Sequence, residues 1–84
     1  MSNPTDQARE LTIALLATRA SSASVCPSEV ARALAASAGG DWRGAMPVVH
    51  AAVDQLVREG VIRLSWKAIP LSQRVEPYRI MRGE

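Results

Sequence analysis

Val49, Ala52, Val53, Leu56 and Val57 recur at the i, i+3, i+4, i+7, i+8 spacing of one helical face, with no polar residue interrupting the series. An apolar stripe of that period has to be buried against other elements. The run closes at Glu59-Gly60, where glycine tolerates the left-handed conformation that ends a helix. Val61, Ile62 and Leu64 follow at once with polar Arg63 and Ser65 between them, so the period drops from helical to alternating and a strand leaves the helix with almost no linker. A chain patterned in this way is α+β.

Proline suits the first helical turn, because the amide it lacks has no intrahelical partner there. Pro47 therefore predicts a third helix over about residues 46–59, and Pro27 a second over about 27–37, with Cys26 or Ser24 as its cap. Glu29 favours the positive end of that second helix, Val30, Ala33 and Leu34 share one face, and Ala38-Gly39-Gly40 stops it. Upstream, Asn3-Pro4-Thr5-Asp6 offers capping residues for a first helix over about 5–19, in which Ala8, Leu11, Ile13, Leu15 and Leu16 form a broad apolar face. Ala20-Ser21-Ser22-Ala23-Ser24 reads as a small polar connection, and Val25 is placed to pair briefly with a later strand. Asp41 caps a short turn carrying Trp42 and Arg43.

Alternation predicts strands over about 61–66 and 78–82. Ile62, Leu64 and Trp66 are expected to face inward, as are Tyr78 and Ile80, while Arg63, Ser65, Lys67 and Arg79 face water. The stretch Ala68 to Pro77, with Pro70 and Pro77, joins the strands as a wing. Three helices followed by a two-stranded β-hairpin give the outline of a winged helix-turn-helix, as a single domain over residues 1–84.

The run Cys26-Pro27-Ser28-Glu29-Val30-Ala31-Arg32-Ala33-Leu34, then Trp42-Arg43 and Met46-Pro47, then Val49, Ala52, Leu56 and Gly60-Val61-Ile62, resembles a family of short bacterial proteins of unknown function. The similarity covers roughly residues 10–66 and implies the winged-helix fold, but it brings no activity. After Trp66 the chain has Lys67-Ala68-Ile69-Pro70 where the family pattern has a glutamine-and-glycine turn.

Winged helices bind DNA, RNA, proteins or copies of themselves, so function has to be argued from particular residues. The net charge of +2 is unevenly placed: three arginines face four carboxylates before Trp42, and seven cations face four carboxylates from Trp42 onward. The basic half carries the third helix and the hairpin. For a DNA-binding or transcription-regulatory protein, the third helix would enter the major groove and the wing would touch the backbone. His50, Gln55 and Arg58 would then reach bases or phosphates, Arg43 would sit near the helix start, and Arg63, Lys67, Arg74 and Arg79 would belong to the hairpin. Asp54 opposes this, as do apolar Val48 and Ala51. Those two residues, with Trp66 and Met81, point instead to a protein-interaction or dimerisation module without nucleic-acid binding.

No catalytic residue, cofactor or metal is expected. Gly39 to Gly44 has phosphate-loop spacing, yet Ala45-Met46 stand where lysine and a hydroxyl residue are required. His50 and Asp54 are spaced to hydrogen-bond along one helix, but no motif ties a nucleophile to them. Cys26 lies at a helix start, where a thiol can become reactive or merely cap. One cysteine and one histidine cannot build a zinc site of the usual ligands. No secretory signal or membrane-length apolar run is found, so a cytoplasmic protein is expected. With 84 residues and no phenylalanine the core must be small, which leaves dimerisation as one way to gain buried surface.

Overall fold

The computed structural model describes residues 3–20 and 23–83. The polar connection expected at Ser21 and Ser22, and the end residues Met1, Ser2 and Glu84, lie outside the described residues. Helix α1 runs Pro4–Ala17, strand β1 Ser24–Val25, helix α2 Pro27–Ala38, helix α3 Trp42–Arg58, and strands β2, β3 and β4 run Ile62–Trp66, Ile69–Leu71 and Arg79–Arg82. The α+β class holds. In place of a two-stranded hairpin there is a four-stranded antiparallel sheet of order β1-β4-β2-β3.

Asn3 starts α1 by accepting the Asp6 amide at 2.8 Å on its side chain, as an N-cap does. The helix buries Ala8, Thr12 and Leu16, and the Thr12 hydroxyl donates to the Ala8 carbonyl at 2.7 Å, which satisfies it away from water. Ile13 departs from expectation, standing 45% exposed beside the buried face. The helix also stops at Ala17 rather than Arg19.

Helix α3 begins at Trp42, upstream of Pro47, because Asp41 already supplies a cap by accepting the Arg43 amide at 3.2 Å. Pro47 is then inside the second turn, where it forfeits a single bond to the Arg43 carbonyl on the solvent side. The turn expected at Trp42-Arg43 is thus the first turn of the helix. Val49, Ala52, Val53 and Leu56 are fully buried, as their spacing requires. Gly60 has φ +75 and ends the element. Gly83 approaches the same corner so closely that a Cβ there would lie 2.3 Å from the Gly60 carbonyl oxygen.

Val25 does pair with a late strand, opposite Ile80, and Ile80 in turn faces Leu64. These three, with Ile62 and Tyr78, form the sheet side of the core against Val30, Leu34, Val53 and Leu56. Trp66 corrects the expected inward set. It is 37% exposed and its cross-strand partner Ile69 is 64% exposed, since both stand at the hairpin tip beyond the cover of the helices. Strand β3 lies within the stretch expected to be unpaired wing.

Candidate functional site

The loop from Ser72 to Tyr78 folds back along α3, and the polar residues of that helix hold it there. Arg74 donates from Nε to Asp54 Oδ1 at 2.9 Å and from Nη2 to Oδ2 at 3.4 Å. The carboxylate raises the Arg74 pKa through this bond. His50 Nε2 lies 3.1 Å from the Glu76 carboxylate, and its Nδ1 lies 2.7 Å from the Tyr78 hydroxyl. An ionised carboxylate only accepts, so a neutral His50 donates from Nε2 to Glu76, and its Nδ1 accepts a hydrogen bond from the Tyr78 hydroxyl. Burial pushes the Tyr78 hydroxyl well above the ordinary tyrosine range, which keeps it a donor. The pairing of His50 with Asp54 that their spacing allows is not made. Each turns to the loop instead.

Gln55 is likewise engaged, accepting from Arg9 Nη1 of α1 at 3.1 Å. Arg79 donates from Nε to the Ser24 hydroxyl at 2.6 Å and from Nη2 to the Ser24 carbonyl at 3.4 Å. Arg43 and Arg58 are exposed near opposite ends of α3, and between them Gly44, Pro47 and Ala51 face solvent. Arg63 and Arg79 share the sheet face opposite the one that Ile62, Leu64 and Ile80 press against the helices. Lys67 occupies the turn at the hairpin tip. The eight basic or polar candidates therefore do not gather on one surface: some line α3, some back the sheet, and five of them, His50, Gln55, Arg63, Arg74 and Arg79, are tied into internal bonds.

A different set of residues does converge. Cys26, Pro27 and Ser28 at the start of α2, Trp42 and Met46 at the start of α3, Trp66 at the end of β2, and the segment Glu76 to Arg79 enclose an open groove of ≈ 630 Å³. Both tryptophans of the chain and its one cysteine border it. Trp42 packs partly on the core, and the guanidinium carbons of Arg32 and Arg43 lie 4.8 and 4.6 Å from its ring centroid. Such stacking is a cation–π contact, and it sets two charges against the wall residue Trp42, although neither arginine lines the groove itself. A smaller polar cleft of ≈ 320 Å³ separates Asp54, Val57 and Arg58 from Ser72, Gln73 and Arg74.

With this geometry in view, comparison with known families is decisive on one point. The chain belongs to a family of unknown function, DUF3253. The match extends over residues 5–83. No curated protein matches the chain. Membership of DUF3253 brings no activity with it, so function has to be argued from the grooves and charges themselves. Among the described residues of this DUF3253 chain, no group of three His, Cys, Asp or Glu side chains is placed to hold a metal, and no helix is long and apolar enough to cross a membrane.

The groove escaped sequence reasoning as a unit because its walls come from positions 26, 42, 66 and 78, which no local pattern connects. Of the expected apolar patch of Val48, Ala51, Trp66 and Met81, Trp66 lines the groove, while Met81 accepts from the Ser65 hydroxyl on its sulfur at 3.3 Å. Arg32 gave no signal, since its relation to Trp42 arises only from the packing of α2 on α3.

Proposed function

We propose that the chain is a winged-helix protein-interaction module, without chemistry of its own, that takes up a partner in the groove between Trp42 and Trp66. The winged-helix reading is supported by the element order, by the hairpin that follows α3 directly, and by the pairing of the short strand β1 with the last strand. One observation carries the interaction reading. Both tryptophans, Met46 and Tyr78 meet at a single groove, while His50 and Gln55, two of the α3 residues that would read bases, are spent on internal bonds. Tryptophan, tyrosine, methionine and arginine are the residues enriched where proteins bind partners. The groove also falls within the ~300–1,000 Å³ typical of binding clefts.

A second reading, binding to duplex DNA, is favoured by Arg43 and Arg58. Among the described residues the one acidic partner of Arg43 is Asp41, at 3.6 Å between exposed side chains, a contact worth little. Arg74 takes up the charge of Asp54 that would otherwise repel phosphate. A salt titration of binding to random duplex DNA separates the readings when run beside sizing over a range of concentrations. On the interaction reading duplex affinity is weak and unchanged by Arg43→Ala and Arg58→Ala. Tight binding that falls steeply with salt, and that these substitutions weaken, overturns it in favour of DNA.

A further inference from the structure

We infer that the occupant of the Trp42–Trp66 groove is an acidic peptide segment carrying a bulky apolar side chain, an inference that rests on the interaction reading above. The walls are apolar, formed by Trp42, Met46, Trp66 and Pro77. Arg79 lines the groove, and Arg32 and Arg43 stand against its wall residue Trp42. Arg32 lies over the Trp42 ring and pairs with no carboxylate among the described residues. Arg43 stacks on the same ring and pairs with Asp41 at 3.6 Å, both side chains being largely exposed. Arg79 donates to the hydroxyl and carbonyl of Ser24 and meets no carboxylate among the described residues. Opposing them in the groove stands Glu76, whose carboxylate is engaged by His50 at 3.1 Å and by Arg74 at 3.8 Å. The start of α2 opens onto the same space, and its positive end adds to the field.

Arg79 in the lining and Arg32 against Trp42, neither paired with a carboxylate among the described residues, stand beside an apolar floor and are complementary to a ligand that is apolar in the middle and anionic at its flanks. The groove lies open to solvent, so a ligand keeps its charged groups at the surface while an apolar anchor enters between the tryptophans. A single-stranded nucleic acid is also anionic and aromatic. It binds by stacking bases on successive free ring faces, however, and the Trp42 ring carries the guanidinium groups of Arg32 and Arg43, which leaves Trp66 as the tryptophan without such a partner among the described residues. Met46, Pro27 and Pro77 offer aliphatic surface, which suits an apolar side chain better than a base.

The inference is tested by selecting from a randomised peptide display library against the folded chain, then titrating the enriched peptides while following tryptophan emission, to which only Trp42 and Trp66 contribute. Enriched peptides are expected to be acidic around a Phe, Leu or Ile and to change that emission. Trp66→Ala, at an exposed position, is expected to weaken binding roughly tenfold or more. Arg32→Glu, also exposed, is expected to weaken it severalfold while leaving the thermal melt unchanged, and the melt separates a lost contact from a lost fold. Peptides that bind in the groove but are neutral or basic overturn the acidic chemistry and leave the interaction reading standing. Failure to enrich any peptide overturns both. Oligothymidylate that displaces the peptides and changes the emission more strongly than they do replaces the peptide with single-stranded nucleic acid.

Discussion

Arg82, on the last strand, donates from Nη2 and Nε to the main-chain oxygen of Leu16 near the end of α1, at 2.7 and 3.3 Å. The same Nη2 donates to the carbonyl of Arg19 at 2.8 Å. Helix α1 has no basic residue in its last turn and no glycine stop, so a residue distant in sequence supplies the donors and the positive charge its carbonyl end lacks. Half-buried Arg82 thereby ties the sheet to the first helix. Arg82→Met keeps most of the aliphatic stem and removes every donor, and is expected to cost about 1–3 kcal/mol. A melt lower by several degrees checks this; an unchanged melt means that water serves these carbonyls equally well.

Asp54 and Arg74 hold the 72–78 loop against α3, though with side chains 40% and 30% exposed the ion pair should contribute at most about 1 kcal/mol. Its larger effect is local. Asp54→Asn is expected to leave the global melt nearly unchanged while amide exchange in residues 72–76 accelerates. The result against it is unaltered exchange, which would mean that His50 and Tyr78 alone fix the loop.

Leu56 is fully buried at the centre of the α3 stripe. Leu56→Ala is expected to cost about 2–5 kcal/mol through lost transfer energy and the cavity left behind. Chemical denaturation measures it directly, and in so small a domain a loss at the upper end would leave much of the population unfolded.

These cases show what the sequence made legible. The α3 stripe, the Gly60 stop and the Val61–Ser65 alternation were each stated by residues adjacent in the chain, and the structure has them where they were expected. The helix start was misplaced because Pro47 is a stronger signal than the Asp41 cap, although one missing bond on the solvent side does not end a helix. Strand β3 was missed for two reasons: Pro70 demotes any strand reading, and the preceding turn uses Lys67-Ala68 rather than Asn-Gly. Among the candidate site residues, His50, Gln55 and Arg58 stand out by their polarity on one face of the third helix, and Arg63, Lys67, Arg74 and Arg79 by their charge in the hairpin. A helical wheel cannot show that His50, Asp54 and Gln55 face the loop and α1, because their partners Tyr78, Arg74 and Arg9 are brought in by tertiary packing.

Arg9 reaches Glu59 with two bonds, of 2.6 and 2.8 Å, and these hold the Glu59 carboxyl below its ordinary value of 4.5. A carboxylate whose pKa is lower folded than unfolded contributes stability that is fully present above the unfolded value and is lost as pH falls through the folded one. The contribution of this pair is therefore expected to be constant near neutrality and to fade below about pH 4.5. Glu59→Gln should remove that dependence. Denaturation curves collected from neutral to acidic pH are expected to show the parent and the variant converging in acid; a constant separation would assign the stabilisation to something other than the ion pair.

The hairpin between β2 and β3 turns through Lys67 and Ala68, whose φ angles are +51 and +67. Two successive left-handed residues between the paired Trp66 and Ile69 make the turn that suits the twist of a two-residue hairpin. Neither side chain is suited to it. For an ordinary residue that conformation costs roughly 1 kcal/mol or more, whereas asparagine and glycine adopt it readily. The combined substitution Lys67→Asn and Ala68→Gly should thus relieve strain in the folded state, partly offset by the greater freedom glycine gives the unfolded chain. A net gain of about 1 kcal/mol and a melt higher by several degrees are expected. Since Trp66 and Ile69 keep their register, tryptophan emission should stay as in the parent. A lower melt would show that the turn draws stability from the Lys67 or Ala68 side chains that outweighs the strain of their backbone.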